Sequence, residues 1–484
     1  PVRRNEVKLS HISAIAISAM LAAQPLAAAS TPSKPWHATA ADQQSARALL
    51  EEIVAIPTAK GRAGVPKLVD VLAARLTAAG FAATDIIRVP VTIDGEETMG
   101  LIVRYAGRNP KRRPVAMLAH MDVVDALPSY WSTDPYKPVE KDGWLYGRGT
   151  HDNKFGVAVL VSTFARLKKA GYVPDRDLLL AFSGDEETGM LSTRQVIANP
   201  LVAKAEFALN SDAGGGTITA DGKPIDFGMQ AAEKTNATFE LTATNKGGHS
   251  SMPRDDNAIY DLADALVKLR DLKFPVIFNP ITRVMTEKAA AGANGELATA
   301  LRTLLANPAD PAAIKVARAH PEVGTVLWTT CVSTMLKAGN APNALAQAAT
   351  ATVNCRILPG TPVAEVQKTI AATVGNPAIT VKLVGEAVES PASPLRADVT
   401  AMLQRAVDVS WPGAKLSPNM SSGGTEGREY RRAGIPTYGA GSLAMQPGEI
   451  RAHGTDERIP LSSFYKELDY WDVLIHQLGA PAKR

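Results

Sequence analysis

The chain has 484 residues, 45% hydrophobic and 21% charged, a composition that excludes a disordered segment and suits a globular enzyme of two or three domains. Lys and Arg exceed Asp and Glu by four, and Arg3, Arg4 and Lys8 against Glu6 supply two of these, so no nucleic-acid-binding surface is expected. Only Cys331 and Cys355 are present, which excludes thiolate metal sites and a disulfide-dense scaffold.

The amino terminus runs from those basic residues into an apolar stretch, Ile12 to Ala23, then Pro25 and the small residues Ala27 to Ser30. This is the pattern of a signal peptide over 1–29, with a Pro, Ser, Thr and Ala-rich linker at 30–40. The apolar run is shorter than the roughly 18 residues a membrane span needs, so export to the periplasm or the medium is expected, with no membrane attachment after the signal is removed.

Helical spacing follows at Ala46, Leu49, Leu50 and Ile53, and again at Leu68, Val69, Leu72 and Leu76. Apolar runs predict strands at 101–105, 115–120, 178–183 and 206–210. Between them, Val157, Leu160, Val161, Phe164 and Leu167 mark the buried face of a helix over 154–170. Continuously apolar strands alternating with helices predict an α/β domain, its mixed, mostly parallel sheet covered on both sides. Residues 41–232 form the first part of this catalytic domain.

The pattern then changes. Thr238 to Asn245 alternates like a half-buried strand, and a helix is predicted at 257–271. The polar, Ala-rich stretch 275–320 carries no clear signal. Two β-like runs ending at Cys331 and Cys355 could pair antiparallel, joined by a disulfide or holding two buried thiols. A helix near 363–374 and a strand at 378–384 complete a small α+β domain with its helices on one face of an antiparallel sheet. It is inserted at 233–388, and the first pattern resumes over 389–484.

The chemistry sits at the carboxyl ends of the predicted strands, where open α/β sheets place their sites. His120 and Asp122 leave one strand two residues apart, so the carboxylate can accept the imidazole's second N–H, as beside a metal-bound His. Asp152 lies in the glycine-bracketed loop 147–156 entering the helix, where its two oxygens suit a bridge between metals, although an Asp there also suits a helix cap. The strand at 178–183 ends in Asp185, Glu186 and Glu187, either a solvated acidic turn or a metal ligand beside a general base. Asp212 follows another strand, and His453 sits far downstream in a polar loop. Such oxygen and nitrogen donors without Cys suit two zinc ions with open positions, cobalt or manganese being possible substitutes.

Taken in order, AHMDVVDA, YGRGTHDNKFG, FSGDEETG, NSDAGG, NKGGHSSMP, GNAPNALAQAATATVNCRILPG and AHGTDERI resemble peptidase family M20. Its members include aminoacylase, carboxypeptidase G, carboxypeptidase S and succinyl-diaminopimelate desuccinylase. The resemblance covers nearly all of the chain after the signal region. It implies a catalytic α/β domain with an inserted lid, of the kind that forms homodimers. It also implies that Asp152 bridges two zinc ions, with His120 and Asp212 completing one site and Glu187 and His453 the other. Asp122 would orient His120, and Glu186 would be general base and acid toward a hydroxide held between the ions. His249 matches the group brought to the scissile carbonyl, commonly from the partner subunit, where an isolated His would read as an ordinary loop residue. Asn343 and Arg356 match groups that recognise a free carboxylate, for which an Arg fork is suited. Gly424 and Thr425 match a glycine-rich substrate loop; relatives commonly have Asp where Glu426 stands, so the resemblance carries no role over to that residue.

The expected activity is hydrolysis of an amide bond next to a free carboxylate, as a carboxypeptidase, dipeptidase or N-acyl-amino-acid amidohydrolase. The alternative is an exported metal- or peptide-binding protein of the same fold without catalysis; the second carboxylate, Glu186, argues against it. Gly439 to Ala444 fits a dinucleotide fingerprint, yet Gln446-Pro447-Gly448 follows where its helix should run. No G-x-S-x-G elbow supports serine hydrolysis.

Overall fold

A computed structural model describes residues 36–482; the expected signal peptide and the start of the linker lie outside them. The first helix, Ala40–Val54, begins where Thr39 and Asp42 form a reciprocal capping box. Just before it, the Ala38 N–H donates to Asp469 at 2.7 Å, docking the end of the expected linker on the last helix, Leu461–Leu478.

The strands form an eight-stranded sheet. Its order is Ile86–Ile93, Glu96–Tyr105, Leu178–Ser183, Val115–His120, Ala208–Ile218, Thr437–Met445, Pro224–Glu233 and Leu416–Ser421. The central pairings 115–120 with 178–183, 115–120 with 208–218 and 208–218 with 437–445 are parallel, while the edge pair 86–93 and 96–105 is antiparallel. Strands 115–120, 178–183 and 437–445 are buried throughout, because helices cover both faces. The helix Lys154–Lys169 presents Val157, Leu160, Val161, Phe164 and Leu167 to the core. Full burial of such side chains contributes about 1.5–3 kcal/mol each.

The strand expected to end near 210 continues to Ile218. Its register with Val115–His120 is recorded through Asn210, after which the left-handed Gly214 and Gly215 let the chain bend while pairing with Thr437–Met445. Gly439 to Ala444 lies wholly inside that last strand, so no phosphate-binding turn exists there.

A second sheet of four antiparallel strands is built from Thr330–Ala338, Ala348–Ile357, Thr235–Thr244 and Ile379–Val384. Strand 235–244 alternates buried and less buried residues, as a sheet packed on one face does. Its core receives Leu262 and Ala265 from the helix Ala258–Asp271, and Val366 and Ile370 from Val363–Val374. Cys331 and Cys355 stand opposite one another and are joined by a disulfide, which decides between the two states open from sequence. The stretch without a clear signal is helical, with Pro280–Gly292, Gly295–Ala306 and Pro311–Arg318. A further helix, Pro321–Leu327, takes the first residues of the β-like run expected to end at Cys331, so that the strand starts only at Thr330. These helices pack around Leu301, Leu304, Leu327 and Trp328.

Candidate metal centre

Val115–His120 and Leu178–Ser183 run parallel with His120 opposite Ser183, so their carboxyl ends deliver their loops side by side. His120 ends its strand, and Asp122 lies just past it. His120 Nδ1 is 3.0 Å from the Asp122 carbonyl oxygen and 3.7 Å from its carboxylate, so the backbone is the nearer partner of the ring. The Asp122 carboxylate accepts the N–H groups of Glu186 and Glu187, each at 3.0 Å, and thereby ties the two loops together. The acidic run divides its labour. Asp185 is buried and accepts Leu191 N at 2.7 Å and Ser192 N at 2.9 Å, serving the next helix, while Glu186 and Glu187 remain with His120.

Asp152 is the centre of the arrangement. Its Oδ1 is 2.8 Å from His120 Nε2, and its Oδ2 is 3.1 Å from His453 Nε2. Asp212 Oδ1 lies 3.6 Å from the same His120 nitrogen, and Glu187 Oε1 lies 2.9 Å from His453 Nε2. Two triads result, His120 with Asp152 and Asp212, and Asp152 with Glu187 and His453, each with donor atoms within 4.8 Å of one another. The reading of Asp152 as a mere helix cap is not supported, because the helix start at Asn153 has no side-chain cap and both Asp152 oxygens face imidazoles.

The electrostatics tests whether these residues fit a cation. Burial opposes charge on His120, yet Asp212, Asp122 and Asp152 overcome it and hold the ring well above its ordinary pKa. Hydrogen bonds that the His453 ring donates to Asp152 and Glu187 raise its pKa to about 10. Burial and the facing Asp152 push Asp212 up to about 6; burial, Asp212, Glu187 and Asp122 push Glu186 well above the carboxylate range. So much buried negative charge demands positive charge, and neutral imidazoles with ionised carboxylates are a hard-to-borderline divalent donor set. The residues fit such an ion.

The substrate-side residues fall in two places. Arg356 donates from Nη1 to Ser422 O at 3.2 Å, at the start of the loop holding Gly424 and Thr425. Thr425 is anchored on Glu233 through its N–H at 2.9 Å and hydroxyl at 2.7 Å, and receives Asn210 Nδ2 at 3.3 Å, two residues before Asp212. His249 and Asn343 instead lie beside one another on an exposed two-stranded ribbon, Gly248–His249 paired antiparallel with Ala344–Leu345, where Ser250 N donates to Asn343 O at 3.1 Å. No recorded hydrogen bond or ion pair among the described residues links that ribbon to the five-residue cluster. Sequence reasoning overlooked Glu457, which is fully buried between the Asp152 and His453 loops. Glu426 is also fully buried, and its carboxyl is raised to about 8 by burial foremost.

An open α/β sheet whose strand ends gather three carboxylates and two imidazoles into paired triads defines a metallohydrolase-type scaffold. The model of peptidase family M20/M25/M40 matches residues 116–477. The chain belongs to that family and is a hydrolase of it. It is 28% identical over 384 residues to an N-fatty-acyl-amino acid synthase/hydrolase PM20D1 of Xenopus tropicalis, covering 77% of this chain and 74% of the relative. A probable carboxypeptidase S-like 2 of Dictyostelium discoideum is 25% identical over 391 residues, covering 78% and 73%. Among solved structures, an M20 family metallo-carboxypeptidase of Sulfolobus solfataricus shares the fold with a TM-score of 0.65 at 17% identity, covering 90% and 99%.

Proposed function

We propose that the enzyme is an exported di-zinc hydrolase that cuts an amide bond beside a free carboxylate, in a short peptide or an N-acyl amino acid. The observation carrying this reading is that Asp152 turns one oxygen toward each of two imidazoles. His120, Asp152 and Asp212 would hold one ion, and Asp152, Glu187 and His453 the other, with cobalt or manganese as substitutes. Bound there, the ions supply Lewis acidity toward the scissile carbonyl and water acidic enough to ionise near neutral pH.

Glu186 takes the proton of the attacking water and returns it to the departing amine. Its carboxyl stands beside Glu187 and within 4.8 Å of a His120 nitrogen, at the edge of the proposed water site. Arg356 meets the substrate carboxylate as a fork, assisted by Asn343, while Gly424 and Thr425 line the substrate from the loop. His249 donates to the oxyanion, and its place on an exposed two-stranded ribbon supports its coming from the partner subunit of a homodimer. The names of the two relatives, one acting on N-acyl amino acids and one a carboxypeptidase, support this substrate class.

A panel of dipeptides and N-acyl amino acids, with acyl group and carboxyl-terminal residue varied separately, tests the reading on zinc-loaded protein. Hydrolysis that stops when the free carboxylate is converted to an amide is expected; indifference to that change refutes the substrate class. Amino-terminal sequencing of exported protein should find a new terminus near residue 30, and an intact leader in a purely cytoplasmic product refutes export.

A further inference from the structure

Glu457 has no exposed surface, although it lies four residues past His453 in a polar loop. A buried carboxylate persists only where donors satisfy its oxygens. Here Oε1 accepts the N–H groups of His151 at 2.8 Å and Asp152 at 3.0 Å, and Gly149 N lies 3.1 Å from both oxygens. Arg148, itself buried, donates from Nη1 to Oε2 at 2.6 Å and from Nη2 to Gly454 O at 3.0 Å. The Gly147 N–H closes the junction on the Glu457 carbonyl at 3.0 Å. Two segments about 300 residues apart are thus fastened together, one carrying Asp152 and the other His453.

The backbone of the second segment depends on outside support. His453 and Asp456 both have left-handed φ, at 62° and 53°, which costs a residue with a Cβ. Apart from Glu457, its anchors include Ser132, whose N–H and hydroxyl donate to Asp456 Oδ1. The His120 half of the centre has no such need. His120 ends a fully buried strand, and Asp212 stands on the strand beside it.

We infer that Glu457 is a positioning residue that sets the Asp152–His453 half of the centre: its carboxylate holds the 149–152 backbone while its own loop presents His453. The inference rests on the two-metal reading proposed above, and its test separates the two.

Hydrogen exchange on metal-free protein reads the clamp directly. Glu457→Gln should accelerate exchange at Gly149, His151 and Asp152 while leaving the strand 178–183 unchanged; unaltered exchange at those three amides overturns the inference. Zinc titration against a chromophoric chelator then reads the consequence. Wild type should bind two equivalents; because Asp152 serves both triads and His453 only the second, the variant should weaken the second by about 10–100-fold and the first by less. Retention of both at wild-type affinity, or equal weakening of both, overturns the inference. Should Glu457→Gln not fold, Arg148→Gln removes only the side-chain donor and should give the same split at smaller size, with equal weakening again contrary. With saturating zinc, kcat should fall at unchanged KM. A wild-type chain that takes up no divalent ion removes the two-metal reading instead, while the exchange result still decides whether Glu457 holds the loop.

Discussion

The two larger sheets of this enzyme treat their functional residues in opposite ways. The eight-stranded sheet is covered on both faces, and it holds His120 with only 1% of the side chain exposed. The four-stranded sheet is covered on one face, and the unit around it carries His249 and Asn343 on an exposed two-stranded ribbon. Groups that must keep a fixed geometry toward one another sit in the rigid unit, where close packing resists displacement. His249, Asn343 and Arg356, proposed to meet the substrate, sit on the unit with an open face, while Gly424 and Thr425 follow a strand of the larger sheet. Even within the metal centre the contrast persists, since the His453 side chain, borne by a loop, is 55% exposed.

The comparison can be broken first at Glu186. Glu186→Gln should lower kcat by about 10²–10⁴-fold with both metal equivalents retained; turnover near wild type would deny that the rigid sheet holds the general base. Next comes the exposed ribbon. His249→Ala should cost about 10²–10³-fold in kcat without altering metal content. Mixing that variant with inactive Glu186→Gln protein should restore part of the activity through mixed dimers, and no recovery on mixing would place the histidine's action within one subunit.

Smaller effects sharpen the contrast in stability. Cys331→Ser with Cys355→Ser removes a bridge of sequence separation 24 in the four-stranded sheet and should cost about 2–4 kcal/mol, read by denaturant unfolding. A loss of metal affinity in the same variant would show that the two sheets are not independent. Glu467, fully buried under the eight-stranded sheet with Ser442 N at 2.5 Å, has its carboxyl raised by burial from 4.5 to about 7. Its contribution is therefore fully present below pH 4.5 and lost as pH rises through 7. Glu467→Gln should leave stability near wild type at pH 4.5 and raise it by about 1–3 kcal/mol at pH 8, and an unchanged pH profile would deny that this core holds the acid protonated.

Much of the molecule was legible before folding was considered. Val115–His120 and Leu178–Ser183 announce themselves as short apolar runs, because a strand covered on both faces has no polar side to interrupt it. His120, Glu187 and Asp212 were legible for a related reason: a polar residue at or just past the end of such a run must stand at the strand's open end, whereas Asp152 and His453 are carried by loops and were marked chiefly by the family resemblance. The helices of 280–318 were not legible, since their many alanines give little contrast between buried and exposed faces.

Local sequence by itself determined the covered sheet, the one-sided sheet and which carboxylates and imidazoles end beside which strands, because periodicity and burial are properties of neighbouring residues. Only the tertiary structure decided that Asp185 serves a helix while Glu187 faces His453, that Asp152 turns its oxygens to two different rings, and that Glu457 lies buried between their loops. A carboxylate in a polar loop reads the same whether it faces water or a backbone amide. What separates the two is the arrival of a segment some 300 residues away, and no local pattern encodes that.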